Sequence, residues 1–254
     1  MISYKPMSDK PSVRSPWFWV PSLYFAQGIP YVAVMIVSVL MYKRLGVSNT
    51  DIALYTSWLN LPWVIKPFWS PFVDLLKTKR WWVATMQLLI GAGLAGVAFT
   101  IPTTFFFQAS LAVFWLLAFS SATHDIAADG FYMLALDSHE QAFFVGIRST
   151  FYRIAIIAGQ GVLVMFAGFL ENSTGNIPLA WSVTFFILGG LFLALFLYHR
   201  YILPLPKGDK PSATVTPSTI LKEFFATFAS FQKETSLCRD PVYAVVPFPG
   251  SPVG

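Results

Sequence analysis

Asp125 and Asp129 stand four residues apart in the stretch SSATHDIAADGFYMLAL, residues 120–136, with His124 beside them. A spacing of four puts both carboxylates on one face of a helix. Two ionised carboxylates so placed repel each other unless a cation lies opposite. The sequence offers Lys66, Arg148 and Arg153. Such a cluster has two uses: a fixed ion-pair latch between helices, or a site that binds a solute or takes and releases a proton. His124 reads either as a proton relay or as a polar residue near an interface. Gln27, with Gly28 and Pro30 after it, marks a break in its helix that could line a cavity, or a plain proline kink. Asn60 and Gln160 are further amides that could line a cavity or bond between helices.

The elements that hold these residues are apolar. The 254 residues are 56% hydrophobic and only 11% charged, with a mean hydropathy of +0.61. Soluble domains carry about 25% charged residues, so the composition points to an integral membrane protein. The sequence predicts about six spanning helices, at 17–42, 52–73, 81–101, from 105 through the 120–136 stretch, 146–170 and 179–202. Each is long enough to cross about 30 Å at 1.5 Å per residue. Strict alternation over strands of about ten residues, the mark of a membrane barrel, is missing. In this reading Arg148 and Arg153 fall in the first turns of the fifth segment.

Basic residues set the orientation. Lys5, Lys10 and Arg14 precede the first segment, Lys77, Lys79 and Arg80 follow the second, and Arg200, Lys207 and Lys210 follow the sixth. Only Lys43 and Arg44 fall on the other side, so both termini read as cytoplasmic. Trp17, Trp19, Trp81 and Trp82 read as an interfacial aromatic belt. Gly91, Gly93 and Gly96 read as points of close helix approach.

The organisation is then a cytoplasmic tail at 1–16, a transmembrane bundle at 17–202, a linker with an amphipathic helix at 203–232, and a Pro-rich tail at 233–254. The last stretch matches none of the patterns before it and reads as the product of a truncation or frameshift. The net charge of +5 belongs to topology and not to nucleic-acid binding. The single cysteine excludes a disulfide framework. No phosphate-binding loop, metal-ligand spacing or catalytic triad is present. No cofactor is expected, and the enzyme reading has no cluster to stand on.

Three stretches carry a resemblance. VIKPFWSPFVD supplies Lys66, Trp69, Ser70, Pro71 and Asp74; SATHDIAADGFY spans the aspartate pair; FYRIAIIAGQG supplies Tyr152, Arg153, Gly159 and Gly161. Together they resemble the N-terminal half of a major facilitator superfamily transporter, and more closely the bacterial muropeptide permeases of the AmpG type, related to acetyl-CoA transporters. His124 stands where that family usually has Gln, and Gly130 where it has Ala. The superfamily's loop signature after helix two is degraded, with Asp74, Lys79 and Arg80 remaining.

The resemblance implies an all-α polytopic protein, six helices of a twelve-helix family, in a bacterial inner membrane. It implies import of a sugar–peptide solute coupled to protons, with a C-terminal half to complete the site. The substrate and proton pathway is then Asp125, Asp129, Lys66, Arg153, Gln27, Tyr152 and His124. Asp74, Lys79, Arg80 and Arg148 are the gating residues. The contrasting reading is a membrane protein that does not transport, an inactive half or a scaffold. The partners expected are the lipid bilayer, protons and a small solute.

Overall fold

The computed structural model describes residues 15–206 and 208–210. The expected tail at 1–16 is therefore described only at its last two residues. The amphipathic helix and the Pro-rich tail after 210 lie outside the described residues.

Among the described residues five helices are long and apolar enough to cross a membrane: α1 (Pro16–Arg44), α5 (Lys79–Thr100), α6 (Phe106–Ala135), α7 (Ser138–Thr174) and α8 (Ile177–Ile202). The expected second spanning helix is not continuous. Residues 49–76 form α2 (Asn49–Thr56), a 3-10 turn Ser57–Asn60, α3 (Leu61–Val64), a second 3-10 turn Lys66–Phe68 and α4 (Ser70–Leu76). Pro62, Pro67 and Pro71 each begin a piece at its first or second position. A proline lacks the amide proton that would continue the preceding turn, and its ring crowds the carbonyl behind it. Hydropathy registers the apolar content of this interval but not the lost donors.

The broken interval still runs the length of the bundle beside α6. Tyr55 meets Phe107 at 5.6 Å between ring centroids near one end, and Trp69 meets Phe119 at 5.5 Å further along. At the end where α1 starts, the Tyr198 hydroxyl donates to the Phe18 carbonyl, and Trp17 packs on Phe144 at 5.3 Å. At the opposite end Arg44 reaches Glu171, and the Trp181 Nε1–H donates to Glu171 at 2.7 Å. The fold is thus an all-α polytopic membrane bundle. Trp17 is exposed and Trp81 is exposed, as the belt requires, but Trp19 is fully buried against Phe131. Two residues beyond Trp17, it falls on the inward face of α1.

Helix α5 packs between α6 and α8. A Cβ at Gly91 would lie 3.2 Å from the Phe192 Cβ of α8, and one at Gly93 would lie 2.7 Å from Leu117 of α6. These glycines let the backbones close up, as their clustering predicts.

The seam that concerns the site joins α1 and α7. α1 is α-helical over Val20–Val32 with Pro30 inside it, then widens into a π-turn at Ala33–Val37. The helix is therefore not broken at Gln27–Pro30. The missing Pro30 amide is absorbed by a local change of pitch. α7 carries its own π-turn at Gly159–Leu163. Gly28 of α1 faces Tyr152 and Ala155 of α7, and Gly159 of α7 faces Val32 of α1.

A side chain at position 28 has no room, since its Cβ would lie 2.7 Å from the Ala155 Cβ and 2.9 Å from the Tyr152 carbonyl. Gly28→Val should lower the thermal stability of the detergent-solubilised protein by about 1–3 kcal/mol, as overpacking does. Gly168→Val, with nothing within 4 Å, should leave it near the parent value. Equal melting temperatures for the two variants would contradict this seam.

Candidate functional site

α6 is one unbroken helix of 30 residues, so Asp125 and Asp129 do share a face. The structure gives each its own cation. Asp125 is buried, and its Oδ2 lies 2.5 Å from Lys66 Nζ. The turn Lys66–Phe68, made by the proline-broken interval, delivers that lysine to α6. Gln27 of α1 lies beside Asp125. Neither Asp125 Oδ1 nor Gln27 Oε1 has a hydrogen-bond partner among the described residues.

One turn on, Asp129 Oδ1 accepts from the Tyr24 hydroxyl at 3.0 Å and from Arg148 Nη1 at 3.3 Å. Arg148 Nη1 also donates to the Tyr24 oxygen at 3.0 Å. The Arg148 guanidinium lies 5.2 Å from the Tyr24 ring centroid and 5.0 Å from that of Tyr132. Arginine suits this place, because its weakly hydrated planar cation stacks on aromatic faces while its edge bonds a carboxylate.

Tyr24, Gln27, Asp129, Arg148, Ser149, Tyr152 and Arg153 line a cavity of about 390 Å³ between α1, α6 and α7. Two guanidinium groups and one carboxylate meet there, a positive balance in a polar recess of an otherwise apolar bundle. Chemically the recess can hold an anionic or strongly hydrogen-bonding solute, with the Asp129 carboxylate in its wall and the buried Asp125 one turn away on α6.

Several expected placements change. Arg153 lines the cavity but pairs with no carboxylate among the described residues; Lys66 holds Asp125 instead. Arg148 lines the cavity, apart from the other gating candidates, and is not in a first turn. A capping box of Asp137 and Glu140 starts α7 at Ser138, which carries Arg148 deep into the bundle. His124 is fully buried between helices and bonds Gln87. Asn60 is half-buried and Gln160 is exposed, and neither lines this cavity. Tyr152 does line it.

The remaining gating candidates lie together at the end where α1 starts. Lys79 Nζ pairs with Asp74. The Arg80 guanidinium donates to the Arg200 carbonyl. Asp209 accepts from the amides of Lys79 and Arg80 at 2.6 and 3.1 Å, capping α5.

Sequence reasoning missed Tyr24, Gln87, His199 and Glu171. Gln87 is a polar residue inside an apolar run, and that alone is the signal for it; Glu171 opens the polar stretch ENSTGN and reads as part of a link. Tyr24 carries no such signal, because a tyrosine in a spanning helix is ordinary.

Fold and site together define a polytopic α-helical membrane protein with a charged internal recess. The BT1 family model matches residues 25–237, and the chain belongs to that family. A putative transporter, AmpG 4 of Rickettsia conorii, is 29% identical over 181 residues, which is 67% of this chain and 41% of that protein. The anhydromuropeptide permease of Escherichia coli K12 is 28% identical over 153 residues, 57% of this chain and 30% of the permease. The chain spans less than half the length of these relatives. These relatives are named as a transporter and a permease, not as enzymes.

The buried pair makes its own prediction. Removing one partner of a buried ion pair leaves an uncompensated charge and costs about 3–5 kcal/mol, whereas replacing both is often neutral. Lys66→Met alone should therefore reduce the folded, membrane-inserted protein strongly. Lys66→Met with Asp125→Leu should recover most of it. If the double variant is no better than the single, the two side chains are not a pair.

Proposed function

We propose that this chain is the N-terminal half of a proton-coupled secondary transporter of the major facilitator type, and that its cavity takes an anionic sugar–peptide solute such as an anhydromuropeptide. The observation that carries the reading is the placement of two carboxylate–cation pairs on one helix face in and beside a polar recess. Ionisable groups in spanning helices are costly and mark solute or proton pathways. The name of the Escherichia coli relative supplies the solute class.

In this reading Arg153 and Arg148 attract the solute's anionic group, and Tyr152, Ser149 and Gln27 offer it hydrogen bonds. Asp125 and Asp129 respond to protons. A proton on Asp125 removes the charge that holds Lys66, and so loosens the 49–76 interval from α6. Release of the proton restores the attraction. A ligand shifts a conformational equilibrium only by its differential affinity for the two states. The proton supplies that difference here, because the pair is strong in one protonation state and weak in the other. His124 sits on the same helix and completes the pathway set. Asp74, Lys79 and Arg80 act at the gate.

Charge supports a bacterial inner-membrane orientation with both termini cytoplasmic. Lys77, Lys79, Arg80 and Arg200 gather at one end of the bundle. At the other end Lys43 and Arg44 stand, and Glu171 offsets Arg44.

The test is uptake of a labelled anhydromuropeptide by cells expressing a version with both halves. Asp125→Asn and Asp129→Asn should each cut gradient-driven uptake, measured per molecule of folded protein in the membrane, by about tenfold or more, the effect of ~1.4 kcal/mol. Lys66→Met with Asp125→Leu should restore abundance but not uptake. Full gradient-driven uptake in both Asn variants would reduce the cluster to a latch.

A further inference from the structure

Away from the cavity, four polar side chains form one hydrogen-bonded chain across four helices. Ser22 Oγ of α1 lies 3.0 Å from Nε2 of His199 in α8. His199 Nδ1 lies 3.0 Å from Oε1 of Gln87 in α5. Gln87 Nε2 lies 3.1 Å from Nε2 of His124 in α6. Gln87, His124 and His199 are all fully buried.

The donors and acceptors of this chain are not independent. A neutral imidazole has one N–H and one bare nitrogen, and an amide has one donor end and one acceptor end. Gln87 meets its two histidines through different nitrogens, Nδ1 of His199 and Nε2 of His124. With its oxygen toward His199, that ring must carry its proton on Nδ1. The amide NH2 then needs a bare Nε2 on His124, whose proton is therefore on Nδ1 as well. Turning the amide over reverses both rings, and both protons move to Nε2.

A mixed pair sets two donors or two lone pairs against each other in a dry interior, and a buried polar group left unmade costs about 1–3 kcal/mol. Ser22 serves both arrangements. Its hydroxyl donates to a bare His199 Nε2, or it accepts from Nε2–H and gives its own proton to the Trp19 carbonyl at 3.2 Å.

We propose that Gln87 locks His124 and His199 into the same tautomer, so that the chain has two states and neither ring changes without the other. The free end of the chain is His124 Nδ1, which has no hydrogen-bond partner among the described residues. It is a donor in one state and an acceptor in the other, on the residue next to Asp125. Gln87 is thus a positioning residue. It acts through His124 on what α6 presents beside the Lys66–Asp125 pair, and it ties that presentation to α1, α5 and α8. Nothing in this inference requires the transport reading.

The tautomer of each ring is read directly by nitrogen-15 and carbon-13 NMR of histidine-labelled full chain in lipid nanodiscs at neutral pH. His139, exposed in the first turn of α7, is replaced by Gln so that only two rings report. His124 and His199 should show the same single tautomer. Gln87→Met keeps the side-chain volume and removes the amide, and at least one ring should then become a mixture of tautomers. Opposite tautomers in the parent, or a charged imidazolium at either position, would overturn the proposal. So would wild-type tautomers persisting in Gln87→Met. The parent spectrum decides alone if that variant does not fold.

Discussion

An ionised side chain in a hydrocarbon environment must be paired and turned inward, and the rest of this bundle is arranged around that demand at Asp125. The carboxylate is buried on α6, and its cation comes from a different part of the chain. A lysine in a straight helix would project where the helix axis dictates. The prolines of the 49–76 interval shorten the helical pieces and let the turn Lys66–Phe68 bring Nζ to the carboxylate. The interruption that removes a continuous spanning helix is the same feature that completes the pair.

A second set of constraints holds the wall of the recess. α1 and α7 approach through Gly28 and Gly159, and each helix widens into a π-turn on the same side of that contact. Such turns are common at functional sites, where a helix must re-aim side chains without ending. Here the close seam brings Tyr24 and Gln27 of α1 against Arg148, Tyr152 and Arg153 of α7. Tyr24 then bridges Asp129 and Arg148, so one hydroxyl links three helices.

Much of this was legible in the residues. Run length and composition give an all-α membrane bundle, and the spacing of Asp125 and Asp129 gives their common face. The partners were harder. Arg153 and Lys66 are equal candidates for Asp125 in a sequence, because nothing local says which side chain a bent interval delivers. The depth of Arg148 was hidden for a different reason. The polar start of α7 lowers its hydropathy, so the apolar run begins well after the helix does. The Asp137 and Glu140 spacing of a capping box marks the true start. His124 lay between two readings, and the residues of its hydrogen-bonded chain, Gln87 and His199, are distant in sequence.

In the transport reading the charged recess opens to water and not to lipid. Thiol accessibility tests it most directly. With Cys238 replaced by Ala, Ser149→Cys places a thiol in the recess wall, and Met165→Cys places one on an exposed apolar face of the same helix. A charged, membrane-impermeant thiol reagent should label position 149 readily in membranes opened to both sides and leave position 165 nearly untouched. Equal labelling at the two positions, or a preference for 165, would contradict the account.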